Sequence, residues 1–186
     1  ASASVLVEVV CFSGQWSFHA APIIGPAVDN LDTVLRLNHL SSRITHTDPV
    51  AEHGSAAVAI AAWGAARNKF ADHATYFLLL RERLTGEHAE QLLSAMNKVE
   101  ASLANEQSTQ EFCNELAAQL EPLAILCTLY QSRFMRDCVI ADTLVPLRNL
   151  ILCGGDTDST AAIAGGIAGC ETEVTDDLIN GILDWP

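Results

Sequence analysis

Residues 48–69 read DPVAEHGSAAVAIAAWGAARNK and carry the clearest helix signal in the chain. Asp48 is a preferred N-cap residue, and Pro49 fits the first helical position. The pattern therefore predicts a helix that begins at Pro49, runs through Trp63 and ends near Lys69. Alanine is the commonest residue in this stretch, and small side chains allow other helices to approach closely.

The composition of the whole chain indicates the same class of structure. Its 186 residues are enough for one domain of ordinary size. Hydrophobic residues make up 49% of the chain but aromatic residues only 6%, so the core must consist largely of aliphatic side chains. We predict an all-α fold, a compact helical bundle, in a single domain that spans residues 1–186.

Apolar periodicity and capping residues outline the other predicted helices. Ser108 and Glu111 form a potential capping box ahead of an apolar stripe. Residues 5–12 fit either a helix or an extended segment. The remaining helices are predicted at 29–43, 71–84, 87–103, 112–120, 122–130, 160–169 and 175–183.

A loop is predicted for residues 13–26. Gly14, Pro22, Gly25 and Pro26 interrupt regular structure there. Aromatic and polar side chains lie between these residues, which makes the predicted loop a first candidate for a functional segment.

Charge and apolar patterning exclude several classes of partner. With 23 acidic and 10 basic side chains the net charge is −13, so we expect neither nucleic acid nor an anionic membrane as a partner. No apolar run reaches the roughly 18–20 residues needed to span a bilayer. The six cysteines form no close pair, which favours buried free thiols in a reduced, cytoplasmic setting over a zinc or disulfide site.

Residues 154–159, Gly-Gly-Asp-Thr-Asp-Ser, concentrate oxygen ligands where a helix is predicted to begin. Asp156, Asp158 and Ser159 offer the hard donors that Mg²⁺ prefers, and the glycines permit a tight turn. Capping of the helix N-terminus is the alternative interpretation of the same residues.

Residues 45–49, Thr-His-Thr-Asp-Pro, form a second motif. His46 directly precedes the helix that starts at Pro49, and the free amides of a helix N-terminus attract phosphate or another anion. A structural hydrogen-bonding role for His46 is the alternative.

Together, residues 154–165 and 45–49 resemble the ADP-ribosylglycohydrolase family, which includes the dinitrogenase-reductase-activating glycohydrolases. Residues 13–28 resemble a degraded form of the family's substrate loop, in which Gly14 and Pro22 match. Ser13 and His19 stand where that loop has Asn and Arg.

The resemblance implies an orthogonal all-α bundle that hydrolyses the glycosidic bond between ADP-ribose and a protein side chain or small molecule. It implies two Mg²⁺ ions as cofactors and an ADP-ribosylated substrate, or ADP-ribose itself, as the partner. The implied catalytic residues are Asp156 and Asp158, and Ser159 joins them as a metal ligand. The implied substrate-binding residues are His46, Gly14 and Thr157.

The resemblance covers the C-terminal portion of a family member. The Gly-Asp-Ala-x-Gly and Thr-Asp-Asp-Thr segments that carry the family's other metal ligands have no match in the sequence, which starts at Ala1 rather than Met. Three alternatives remain: a fragment whose preceding portion is supplied elsewhere, a site completed by a companion chain, or a relative without catalysis. The last would make the protein a structural, crystallin-like or ADP-ribose-binding relative.

Overall fold

The computed structural model describes residues 15–70, 72–108, 111–112, 115, 157–170 and 180, with the backbone alone for 15–18 and 157–160. These residues form α-helices and no strands, which confirms the predicted all-α fold. The helices are α1 (Gln15–Ala27), α2 (Leu31–Thr45), α3 (Pro49–Ala65), α4 (His73–Arg83), α5 (Glu87–Ala104) and α6 (Thr157–Ala168).

Helix α3 is the centre of the described part of the bundle. Each of the other helices contacts it, and 12 of its 17 residues are buried. Asp48 is its N-cap, as predicted, and accepts a hydrogen bond from the Val50 amide at 2.9 Å. Because α3 is built mainly from alanine and glycine, its neighbours approach its backbone closely.

The crossings of α1 with α3 and α6 depend on glycine. A Cβ atom at Gly25 would lie 2.6 Å from the Ala59 carbonyl oxygen of α3. One at Gly166 in α6 would lie 2.8 Å from the Pro22 Cβ of α1. Both distances are shorter than van der Waals contact, so these crossings exclude any larger residue unless the helices move apart.

The prediction of a loop at residues 13–26 is wrong, because helix α1 covers Gln15–Ala27. Pro22 and Gly25 lower intrinsic helix propensity, by about 3 and about 1 kcal/mol. In the folded chain both residues are buried in the crossings just described. Tertiary packing therefore outweighs the local preference, which is a common reason for propensity arguments to fail.

Most of the predicted helix boundaries agree with the structure to within a few residues. Helix α3 ends at Ala65 rather than near Lys69, and Asn30 rather than Asp29 caps α2. The capping box is confirmed: the Ser108 amide donates to the Glu111 carboxylate at 2.8 Å, and the Glu111 amide donates to the Ser108 hydroxyl at 3.2 Å.

The segment at 5–12, the predicted helix at 122–130 and most of the predicted helices at 112–120 and 175–183 lie outside the described residues. Within the described part of the chain, no helix combines the length and apolar character that a bilayer span requires.

Candidate functional site

His46 lies in the short connection between α2 and α3, as the sequence predicted. It is the C-cap of α2, with an extended backbone (φ −138°, ψ 144°), and its amide donates to the Ser42 carbonyl oxygen at 2.8 Å. Its side chain is partly exposed. The helix end therefore fixes the backbone of His46 while leaving part of the ring accessible.

The imidazole of His46 has a defined polar neighbour. Its Nδ1 lies 2.6 Å from the Thr45 Oγ1, within hydrogen-bonding distance. The same Thr45 hydroxyl lies 3.4 Å from the Ser42 carbonyl oxygen. These three residues occupy the last turn of α2 and its cap, so the ring orientation depends on the end of this helix.

The N-terminus of α3 is a poor site for phosphate, contrary to the anion attraction considered for this motif. Pro49 has no amide hydrogen, and the Val50 amide is already bound by the Asp48 carboxylate. Glu52 adds a second acidic side chain in the first turn. Two carboxylates offset the positive end of the helix dipole, so a ligand hydroxyl suits this position better than a phosphate.

A polar contact between α2 and α3 was missed by the sequence analysis. The buried Ser55 hydroxyl donates to the Asn38 side-chain oxygen at 2.8 Å, and the His39 Nδ1 lies 2.7 Å from the Glu52 carboxylate. The available signal was the position of Asn38 and Ser42 in the otherwise apolar row of α2, where both are almost fully buried. A buried polar side chain on a core-facing row generally has a hydrogen-bond partner; Asn38 finds one on α3, whereas the Ser42 hydroxyl has none among the described residues.

The acidic motif leads directly into α6. The helix begins at Thr157, so the backbones of Thr157, Asp158 and Ser159 form its first turn. This start lies three residues before the predicted one. Asp156 and Gly14 fall outside the described residues, as do the side chains of positions 157–159. The assignments of all these residues as ligands or substrate contacts remain predictions.

The donor chemistry of the motif is compatible with the predicted metal. Carboxylate and hydroxyl oxygens are suited to Mg²⁺, and here they are concentrated within four residues at a helix start. Elsewhere, among the side chains that the structure describes, no three His, Cys, Asp or Glu residues cluster as metal ligands would.

The match to a family model agrees with this architecture. The model of the ADP-ribosylglycohydrolase family matches residues 13–178. Because that range covers most of the sequence, the chain belongs to the ADP-ribosylglycohydrolase family. Members are hydrolases of ADP-ribosylated substrates and are generally metal-dependent. No curated protein and no solved structure matches the chain.

Proposed function

We propose that this protein takes part in the Mg²⁺-dependent hydrolysis of the glycosidic bond between ADP-ribose and an acceptor. The observation that carries this proposal is the position of the acidic motif. This chain belongs to the family, and its Asp158 and Ser159 lie in the first turn of helix α6. Helix α6 packs against α3, the centre of the bundle. Ligands on a packed helix are held more firmly than ligands on a loop.

The proposed roles follow from the chemistry of the side chains. Asp156, Asp158 and Ser159 hold the metal, and Thr157, Gly14 and His46 contact the ADP-ribose. When bound, a pair of Mg²⁺ ions polarises substrate oxygens and supplies an activated water. The two aspartates supply the negative charge that keeps the cations in the site.

We further propose that the remaining metal ligands come from a preceding portion of the polypeptide or from a companion chain. The motif offers two carboxylates and one hydroxyl, whereas Mg²⁺ prefers six oxygen ligands, part of them water. A second ion bound beside the first requires more acidic groups than these. In this proposal the domain is the C-terminal portion of a larger catalytic unit.

The proposal can be tested by thermal unfolding of the purified protein with ADP-ribose, with and without Mg²⁺. At a ligand concentration a hundredfold above the dissociation constant, binding stabilises the folded state by about 2.7 kcal/mol. We expect this stabilisation to require Mg²⁺. We also expect the double variant Asp156→Asn, Asp158→Asn to abolish it.

The choice of asparagine separates metal binding from helix capping. Asparagine caps a helix about as well as aspartate, so the double variant removes charge without removing a cap. Asp72→Asn is the matched control, because Asp72 caps α4 by accepting from the Thr75 amide and lies outside the motif. A wild-type protein that gains no stability from ADP-ribose plus Mg²⁺, both alone and together with the polypeptide that supplies the remaining ligands, would contradict the proposal and favour a structural relative.

A further inference from the structure

We propose that Thr45 is a positioning residue that holds the neutral His46 ring with its proton on Nδ1. The Nδ1–H group donates a hydrogen bond to the Thr45 hydroxyl oxygen. Nε2 then carries a lone pair and can accept a hydrogen bond from a ligand. The consequence for the ligand depends on the proposed function, in which His46 contacts ADP-ribose. The orientation and tautomer of the ring do not depend on it.

The Thr45 hydroxyl has one proton to donate and two polar neighbours. The Thr45 hydroxyl oxygen lies 3.4 Å from the Ser42 carbonyl oxygen and 2.6 Å from the His46 Nδ1. A carbonyl oxygen can only accept. If the hydroxyl donates towards Ser42, then Nδ1–H must be the donor in the shorter contact. With the proton on Nδ1, both contacts are hydrogen bonds at the same time. With the proton on Nε2, the Thr45 hydroxyl can make only one of the two.

The dipole of helix α2 favours the same tautomer. Thr45 is the last residue of α2 and His46 is its C-cap, so both lie at the negative end of the helix dipole. N–H and O–H groups that point towards this negative end are attracted to it, whereas lone pairs that point there are repelled. The dipole therefore favours the tautomer in which the His46 Nδ1 and the Thr45 hydroxyl both donate in the direction of the last turn.

This arrangement binds a ligand group that donates a hydrogen bond. A neutral histidine with a lone pair on Nε2 binds a hydroxyl, such as one on a ribose, and not a phosphate oxygen, which is itself an acceptor. The Asp48 carboxylate at the N-cap of α3 acts in the same direction, because it repels a diphosphate. We therefore assign His46 to a ribose hydroxyl of the substrate.

The tautomer can be measured by ¹⁵N NMR of the histidine rings in the protein without ligand. The experiment is run at about pH 8, where free imidazole is neutral. The chain has six histidines, and the variant His46→Gln identifies the signals of His46. We expect a protonated Nδ1 and an unprotonated Nε2. A proton on Nε2 in the wild type would overturn the proposal.

Three variants test the role of the Thr45 hydroxyl. Thr45→Val removes the hydroxyl at nearly constant volume and is expected to shift the His46 ring signals towards a mixture of tautomers. Thr45→Ser retains the hydroxyl and is expected to restore the wild-type signals. Thr47→Val is the matched control, an exposed threonine on the other side of His46, and is expected to leave them unchanged. Unchanged signals in Thr45→Val would contradict the proposal.

Titration with ADP-ribose separates this proposal from the proposed function. If both hold, Thr45→Val weakens ADP-ribose binding about five- to tenfold, as expected for one misplaced hydrogen bond, and Thr45→Ser restores it. Binding that is equal in wild type and Thr45→Val overturns the positioning role alone. The expected tautomer in a protein that does not bind ADP-ribose, even together with the polypeptide that supplies the remaining ligands, supports the positioning role and overturns the proposed function.

Discussion

Tyr76 is a buried polar side chain whose ionisation affects stability at alkaline pH. Its hydroxyl donates to the Ala57 carbonyl of α3 at 3.1 Å, and the residue is 2% exposed. Burial raises the pKa of Tyr76 above its ordinary value of about 10. The folded chain therefore retains this proton at pH values where the unfolded chain loses it. As a result, the free energy of unfolding falls as the pH rises above about 10.

The variant Tyr76→Phe tests both properties of this side chain. At about pH 8 we expect the free energy of unfolding to fall by about 1 kcal/mol, because a buried hydrogen bond is lost. Between about pH 8 and about pH 10.5 we expect a smaller further decline than in the wild type. Denaturant unfolding at both pH values measures the two effects. An equal alkaline decline in both proteins would show that Tyr76 is not buried as described.

Glu106 adopts a left-handed backbone conformation, with φ +55°, directly after α5. The Glu106 amide donates to the Leu103 carbonyl and the Gln107 amide to the Ser102 carbonyl, both at 3.1 Å, which is the hydrogen-bond pattern of a Schellman motif. Glycine normally occupies this position because a side chain is strained there. Since Glu106 is exposed, its side chain can be removed without loss of core packing.

We therefore expect Glu106→Gly to raise the free energy of unfolding by about 0.5–1 kcal/mol. Asn105→Gly is the control, because Asn105 has an ordinary φ of −88° and glycine there only adds flexibility to the unfolded chain. Denaturant midpoints of the two variants should move in opposite directions. A decrease in both would contradict the assigned backbone strain.

At the scale of single residues, the sequence predicted those contacts that join residues close together in the chain. Asp48 was recognised as an N-cap because its partner, the Val50 amide, is two residues away. The contact of Asn38 with Ser55 joins residues 17 positions apart, and no local pattern specifies it. The same limit applies to the Thr45 hydroxyl, since its role depends on how the His46 ring is turned.

At the scale of helices, the crossing of α1 with α3 leaves no room for a side chain at Gly25. A side chain at Gly25 meets the Ala59 carbonyl oxygen, which belongs to the backbone and cannot rotate away. We expect Gly25→Ala to lower the free energy of unfolding by about 1–3 kcal/mol through overpacking. Ile23 lies on the same helix and is 72% exposed, so Ile23→Ala should change the free energy of unfolding by less than about 0.5 kcal/mol. Equal effects would contradict the close crossing.

Arg67 holds the C-terminal end of α1 against α3. Its guanidinium donates to the carbonyl oxygens of Gly25 at 3.3 Å and Pro26 at 3.2 Å, and to the Asp29 carboxylate at 3.0 Å. The Arg67 side chain is 15% exposed, whereas that of Asp29 is fully exposed. The two carbonyl contacts should therefore contribute more to stability than the ion pair.

Two variants separate these contributions. Arg67→Lys keeps the charge but loses the planar fork, and we expect it to lower the free energy of unfolding by about 1–2 kcal/mol. Asp29→Asn should change the free energy of unfolding by less than about 0.5 kcal/mol. Thermal or denaturant unfolding gives both values. A larger loss in Asp29→Asn than in Arg67→Lys would show that the ion pair dominates.

Helix α1 shows why some elements could not be predicted from the sequence. Pro22 and Gly25 argue locally for a loop, and the contacts that make them acceptable in a helix come from Gly166 and Ala59, which are distant in sequence. Helix α3 could be predicted because its cap, its first proline and its alanine-rich composition all agree. Agreement between local and long-range preferences makes an element predictable.

At the scale of the whole molecule, the chain combines an alanine-rich bundle with a strongly acidic surface. The net charge of −13 favours cations and disfavours polyanions near the protein. The family membership and the all-α fold were both predicted from the two motifs and the composition. The spatial relation between His46 and the acidic motif at the start of α6 was not accessible to sequence reasoning, because it depends on how distant helices pack.

We propose that this chain contributes an acidic metal site to the release of ADP-ribose. The decisive measurement is the release of ADP-ribose from ADP-ribosylated arginine and serine substrates, with and without Mg²⁺. We predict Mg²⁺-dependent release, by the chain alone or with a companion polypeptide that supplies further acidic ligands, and its loss in the double variant Asp156→Asn, Asp158→Asn. Release that continues unchanged in the double variant, or after Mg²⁺ is removed, would contradict the account.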